Sequence, residues 1–251
     1  MNLNFTNPDL SGKTVLVTGG GTGLGRAAAL AYAKLGAGVW ITGRRLHPLE
    51  EVASLSAGSS PDAPPMRVVS LDVCDRAGLE KLATEIRGVS GALHCLVNNA
   101  AILGPIGSLA AIDPDEVRAV WDINIHGTYL PTAVMLDLLR ADGAAVVINV
   151  SSGVGRQGRG GWGPYSGSKF AIEGLTQCWA DDLAADGISV VAVNPGATAT
   201  TMRAAAKPEE DPATLPQPED IVPAFVFPLS NEARTQKVSG ASIDARDFLK
   251  L

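Results

Sequence analysis

Tyr165 and Lys169 stand four residues apart, and an apolar run, Ala145 to Val150, ends in two hydroxyls, Ser151 and Ser152. A helix starting near Pro164 puts the phenol and the ammonium on one face. A cation beside a phenol favours phenolate, so the spacing predicts a proton donor of lowered pKa at Tyr165. A hydroxyl at the end of a buried strand can hold a substrate oxygen nearby. Together these groups form a proton-transfer site whose other half-reaction must come from elsewhere on the chain. The loop between them, Gly153 to Gly163, is rich in glycine and carries Arg156, Arg159 and Trp162. Its arginines either suit an anionic substrate or are solvated charges on a glycine loop.

The elements that must position this site begin near the N-terminus. Thr14 to Val17 reads as a strand, and the glycine run TGGGTGLG, Thr18 to Gly25, follows at once. An alanine-rich helix from about Gly23 to Leu35 stops at Gly36, and a strand from Gly38 to Thr42 completes a right-handed βαβ unit. An NTP-binding loop needs a lysine and then a hydroxyl residue after its last glycine, but Arg26 and Ala27 stand there. Five glycines between strand and helix instead fit a dinucleotide turn, where bare backbone approaches a pyrophosphate at a helix N-terminus. The frame TGxxxGxG beginning at Thr18 fits the strand end better than GxGxxA at Gly23, Gly25 and Ala28. The second strand ends in Thr42-Gly43-Arg44-Arg45, with no carboxylate before Glu50. A carboxylate there binds a ribose 2′-hydroxyl, whereas Arg44 can pair with a 2′-phosphate in a forked geometry. The pattern favours NADP(H), with NAD(H) as the alternative.

Further along, His47 to Ala57 reads as a helix, Gly58 to Pro65 as a polar loop, and Arg67 to Leu71 as a strand ending in Asp72-Val73. A helix runs from Asp75 or Arg76 to Arg87, and a strand from Leu93 to Val97 ends in Asn98-Asn99-Ala100-Ala101. Asp113-Pro114-Asp115-Glu116 is a helix start, and the helix should reach about Arg140 with a kink near Pro131. Asn124 falls inside it, as a surface residue or a deliberate polar group near the site. An amphipathic helix continues past Lys169 to about Ala185, and a strand from Ile188 to Val193 ends in Asn194-Pro195-Gly196. Ala204 to Pro218 is polar and proline-rich and reads as a mobile flap; Asp220 to Leu229 reads as a helix and Val238 to Ala245 as a last strand.

The 251 residues, 46% apolar and 18% charged, are enough for one large α/β domain with a sizeable core. No composition break asks for a second domain, so residues 1–251 read as a single catalytic domain. The formal net charge is −6 without a basic cluster, which argues against nucleic acid as a partner. The N-terminus has no signal-peptide pattern, and no apolar run suggests a membrane span. Cys74, Cys95 and Cys178 are scattered, which fits a reducing cytoplasm, and His47, His94 and His126 lack metal-ligand spacing.

Taken together, these motifs resemble the short-chain dehydrogenase/reductase family, from about Ser11 to Asp244. The glycine run matches TGxxxGxG, Leu71-Asp72-Val73 the adenine-contacting Asp, and Asn98-Asn99-Ala100 the family's NNAG, with Ala101 in place of the last glycine. Asn124, Ser152, Tyr165 and Lys169 match the Asn-Ser-Tyr-Lys tetrad, with Ser152 thirteen residues before Tyr165. Pro195-Gly196, with Thr198 and Thr200, matches the motif beside the nicotinamide.

The resemblance implies a Rossmann-type, three-layer α/β fold with a seven-stranded parallel sheet and helices on both faces. It implies cofactor contacts from Thr18, Gly19, Gly21, Thr22, Gly23, Leu24, Gly25, Arg44, Asp72, Val73, Asn99, Ala100, Tyr165, Lys169, Pro195, Gly196, Thr198 and Thr200. It implies carbonyl reduction in which Tyr165 protonates the oxygen, Ser152 hydrogen-bonds it and Lys169 binds the nicotinamide ribose and lowers the Tyr165 pKa. The resemblance also implies that Asn124 holds a water that links Lys169 to solvent. Ser151 should face the other side of the strand and be structural. A dinucleotide sensor without turnover would not need the tetrad, and enoyl reductases and epimerases of the family differ in Tyr-Lys gap or C-terminal length. The resemblance also implies a small carbonyl or alcohol substrate and a homodimer or homotetramer packed through two long helices.

Overall fold

The computed structural model describes residues 1–57 and 64–250; most of the expected loop from Gly58 to Pro65 lies outside them. Seven strands, β1 (Thr14–Thr18), β2 (Gly38–Gly43), β3 (Arg67–Ser70), β4 (Cys95–Asn98), β5 (Val146–Val150), β6 (Ser189–Asn194) and β7 (Ser242–Asp244), pair in the order β3-β2-β1-β4-β5-β6-β7. Every pairing is parallel. β1 (TVLVT) and β5 (VVINV) are buried at every position, as strands covered on both faces must be.

The alternation of side chains divides these strands between two cores. Val15 and Val17 of β1, Ile148 of β5 and Val191 of β6 pack with Ala28 and Tyr32 of α1 (Gly23–Lys34), Leu49 and Val52 of α2 (Leu46–Ser56), and Phe225 and Phe227. Leu16, Val147 and Val190 face the other way, onto Leu82 and Ile86 of α3 (Arg76–Ser90), and onto two helices further along the chain. α4 (Pro114–Trp121) precedes the first of these, α5 (Gly127–Asp142), which contributes Met135 and Leu138. The second, α6 (Gly163–Asp182), contributes Ala180. Tyr32 is fully buried and donates its hydroxyl to the Phe225 carbonyl at 2.8 Å, which ties α1 to the C-terminal segment.

The chain winds outward in one direction from β1 and in the other from β4. The crevice at the C-terminal ends of these two strands is therefore the place where such sheets bind ligands. Thr18 locks the crevice floor: its hydroxyl bonds the Val97 carbonyl and receives the Asn99 and Ala100 amides at 3.0 and 3.1 Å.

Three expectations differ from the structure in local detail. The helix from Pro114 is not one continuous α-helix, although its later part, α5, runs on through Pro131. It is interrupted earlier, by a π turn over Asp122–His126 that carries Asn124 inward, a widening common at functional sites. The expected helix from Asp220 to Leu229 is instead a turn (Pro218–Ile221), a short α8 (Pro223–Val226) and another turn (Phe227–Leu229). Pro223 and Pro228 lack the N–H a continuous helix needs. The last strand is only Ser242–Asp244, because the chain turns at Gly240 (φ +83°) before it pairs with β6. The expected flap, Ala204 to Pro218, starts inside α7 (Thr201–Ala206), whose Arg203 is paired with Glu210 at 2.8 Å, and the Ala199 amide bonds the Pro216 carbonyl. A final short helix, α9 (Asn231–Gln236), is capped by the Ser230 hydroxyl.

Candidate active site

A cavity of about 650 Å³ lies along the C-terminal ends of the strands. One end is lined by Arg44, Arg45, Asp72 and Val73; Gly19, Gly21, Thr22, Gly23 and Leu24 line its middle with Asn99 and Ala100. The other end is lined by Ser152, Tyr165, Lys169, Pro195, Gly196, Thr198 and Thr200. Three of the expected residues are not on its wall. Thr18 is buried beneath it, Gly25 is packed under Asn99, and Asn124 is 1% exposed. Arg45, Ile102, Ile123, Met202 and Arg203 also line the cavity and were not singled out from the sequence. Arg45 adjoins Arg44, a legible signal; Met202 and Arg203 arrive only because α7 folds back.

The glycine turn is shaped by what its residues lack. A Cβ at Gly25 would lie 2.4 Å from both the Gly19 oxygen and Asn99 Nδ2, and one at Gly19 would lie 2.9 Å from the same amide. Gly19 and Gly23 hold φ of +65° and +53°, conformations that other residues rarely adopt. Asn99 Nδ2 donates to the Thr18 and Gly19 carbonyls at 2.9 and 3.0 Å, fixing the turn against β4. The N-terminus of α1 has no side-chain cap and no acidic residue in its first turn. Its free N–H groups and the helix dipole make that end a ready anion site, which fits a pyrophosphate. The cavity end at Arg44 and Arg45 fits a further phosphate.

The reactive end is built from side chains. β5 separates the two serines. Ser151 continues the face of Asn149, which bonds Thr176 of α6, and donates to the buried carboxylate of Glu173 at 2.5 Å. Glu173 also receives the Ser242 hydroxyl at 2.9 Å and lies 4.0 Å from Arg156. Ser152 opens onto the cavity, half-buried, and accepts the Val154 amide at 3.5 Å. Tyr165 and Lys169 share a face of α6, with the ammonium 5.5 Å from the ring centroid. Lys169 is 4% exposed, and its Nζ donates to the Val150 carbonyl at 2.7 Å.

These surroundings reverse one expectation. Burial pushes the Tyr165 phenol up to about 12, and a hydrogen bond with Ser152 only partly opposes it. Burial also pulls Lys169 down to about 8, against the attraction of Glu173. The ammonium is engaged by a backbone carbonyl, and desolvation of the phenol outweighs any help from it. Tyr165 is therefore a protonated phenol at neutral pH, suited to give a proton rather than to take one.

Both polar ends of the Asn124 side chain are bonded to protein. Its Oδ1 accepts the Ile102 amide at 2.8 Å, and its Nδ2 donates to the Ile102 carbonyl and to Ser168 Oγ. The side chain thus clamps the segment after β4 to α6, one residue from Lys169. A second polar line went unread in the sequence: Asn98 donates to Thr132 of α5 and to Asn149, and Asn149 donates to Thr176 of α6. It crosses the core beneath the reactive end and joins the two helices through the sheet.

Known proteins share this arrangement along most of their length. The sequence profile of the family described as short chain dehydrogenase matches residues 13–211. The oxidoreductase YciK of Escherichia coli K12 is 35% identical over 237 residues, covering 94% of this chain and 93% of its own. A short chain dehydrogenase of Shigella flexneri, solved in complex with NADP, superposes with a TM-score of 0.89 at 35% identity, over 96% of this chain and 100% of its own. Another, from Escherichia coli CFT073 in complex with NADPH, has a TM-score of 0.88 at 36% identity, over 95% and 98%. With the glycine turn, the cluster of Ser152, Tyr165 and Lys169 and these matches together, the chain belongs to the short-chain dehydrogenase/reductase family.

Proposed function

We propose that residues 1–251 act as one catalytic unit, an NADP(H)-dependent oxidoreductase that interconverts a ketone or aldehyde and its alcohol. The observation that carries this reading is a buried Tyr165 beside Ser152 and Lys169 in the same cavity as the glycine turn. The glycine turn and the α1 N-terminus hold the pyrophosphate, Asp72 and Val73 border the adenine end, and Arg44 pairs with the 2′-phosphate. The bound nicotinamide supplies or takes up hydride at the carbonyl carbon. Ser152 orients the carbonyl oxygen, and Tyr165 delivers the proton that neutralises the charge developing there. A donor so placed is worth about 10²–10⁴-fold in rate, roughly 3–5 kcal/mol of barrier. Lys169 holds the ribose and the cationic side of the site, while Asn124 positions the α6 backbone around it.

NADP(H) is supported over NAD(H) by the two arginines at the end of β2 and by the two relatives solved with NADP or NADPH. Self-association is supported by Trp121, Tyr129 and Phe170, large apolar side chains about half exposed on α4, α5 and α6; light scattering tests it, and a monomer contradicts it. No helix among the described residues is long and apolar enough to cross a membrane, which is compatible with work in the cytoplasm on a small carbonyl or alcohol.

The deciding experiment follows NADPH oxidation against quinones, ketosteroids, β-ketoacyl thioesters and sugars, in wild type and Tyr165→Phe. Turnover should vanish in the variant while NADPH binding stays nearly intact. Retained turnover removes Tyr165 as the proton donor.

A further inference from the structure

A second cavity, of about 480 Å³, opens beside the reactive end and shares Ser152, Trp162, Gly196 and Arg203 with the first. A substrate whose carbonyl meets Ser152 extends naturally into it. Its remaining wall includes Gln157, Arg159 and Asn194, and no carboxylate is among its described lining residues.

Three arginines on or beside the wall of this cavity are differently employed. Arg156 is held by both oxygens of Asp244 and does not line the cavity. Arg203 lines it but is paired with Glu210, and it borders the first cavity as well. Arg159 lines the second cavity alone, is exposed, and has no ion pair among the described residues. Its guanidinium lies 6.0 Å from the Trp162 ring centroid, and Trp162 meets Tyr165 edge-on at 6.2 Å. The cation is thus set within two ring spacings of the reactive phenol, on an aromatic ring that limits where it can go.

We infer that the second cavity is the substrate subsite and that Arg159 selects carbonyl compounds bearing an anionic group, carboxylate or phosphate, several bonds from the reacting carbon. The inference rests on the reductase reading for the identity of the reacting end. Its physical basis is separate: a guanidinium with no carboxylate partner on a cavity wall gains most from an anion, which it can bind in forked geometry. A neutral substrate of the same shape leaves that charge to water.

The test uses para-acetylbenzoate and its methyl ester, the same ketone with and without the charge, on the full chain. With NADPH, wild type should favour the acid in kcat/KM. Arg159→Ala should lower the acid about tenfold more than the ester, the size expected for losing one charge-assisted contact. Arg159→Lys should keep part of the preference, and Arg159→Glu should reverse it. Para-acetylphenyl phosphate, run alongside, tells phosphate from carboxylate. Equilibrium dialysis of para-acetylbenzoate against the NADP⁺-loaded protein gives a readout without turnover. Arg159-dependent retention of the acid without its reduction upholds the subsite, while absence of NADPH oxidation with every carbonyl of the panel above sinks the reductase reading. Equal retention by wild type and Arg159→Ala, or a wild-type preference for the ester, overturns the subsite even if the ketones are reduced.

Discussion

The two ends of the long cavity are made by opposite means. Around Thr18–Gly25 the wall is main chain: glycines admit a close approach, Asn99 staples the turn, and an uncapped helix end offers N–H groups. Around Ser152, Tyr165 and Lys169 the wall is side chain, and its chemistry is set by burial and by groups from behind, Val150, Glu173 and Ser168. A wall of backbone recognises a ligand by shape and dipole and fails when atoms are added. A wall of side chains fails when a functional group is removed, and it can lose turnover while keeping its shape.

That contrast predicts different failures on the two sides. Gly25→Ala should have the largest effect. Its new Cβ meets a backbone oxygen at 2.4 Å, and crowding of this kind costs roughly 1–3 kcal/mol or more. A lower Tm and loss of cofactor binding and turnover together are expected, read by thermal melting and NADPH fluorescence; unchanged NADPH binding would break the comparison. Ser152→Ala should come next. Removing one donor aimed at the reacting oxygen lowers kcat about 10²-fold, with the NADPH Kd unchanged. A parallel loss of binding would show that this end, too, works by shape.

Arg44→Ala sharpens the backbone side, where it is the one proposed side-chain selector. It should weaken NADPH about tenfold more than NADH, the loss of a charge-assisted pair with phosphate; equal losses remove it from that role. The smallest effect concerns pH. Lys169 is held at about 8 by burial, so the free protein loses this cation as pH rises through that value. NADP⁺ affinity should fall a few-fold from below pH 8 to above it, and Lys169→Met should flatten the step. A step that survives the substitution belongs to another group.

Much of the fold was legible because a doubly covered parallel strand leaves a plain signature. Val146–Val150 is apolar but for Asn149, and β1 is followed at once by glycine. Boundaries failed where proline or a turn competes with periodicity, as at Pro223, Pro228 and Gly240. The π turn at Asn124 was not legible, since its cause is a polar contact with Ile102, twenty-two residues away. Glu173 was overlooked for the same reason: on α6 it reads as one more polar helix residue. Only β5, β7 and the loop after β5 bring it Ser151, Ser242 and Arg156.

By itself the sequence determined which groups are present and which lie close along the chain: the glycines of the turn, the one-turn spacing of Tyr165 and Lys169, and the absence of a carboxylate after β2. Those properties depend on local geometry, and local geometry follows from residue order. The tertiary structure decided how the groups behave. It turned the expected low-pKa phenol into a buried acid near 12, because desolvation depends on what packs around a ring and not on its neighbour four residues on. It also told apart three arginines that look alike in sequence, since only the fold brings Asp244 to Arg156 and Glu210 to Arg203 and gives Arg159 no such partner among the described residues.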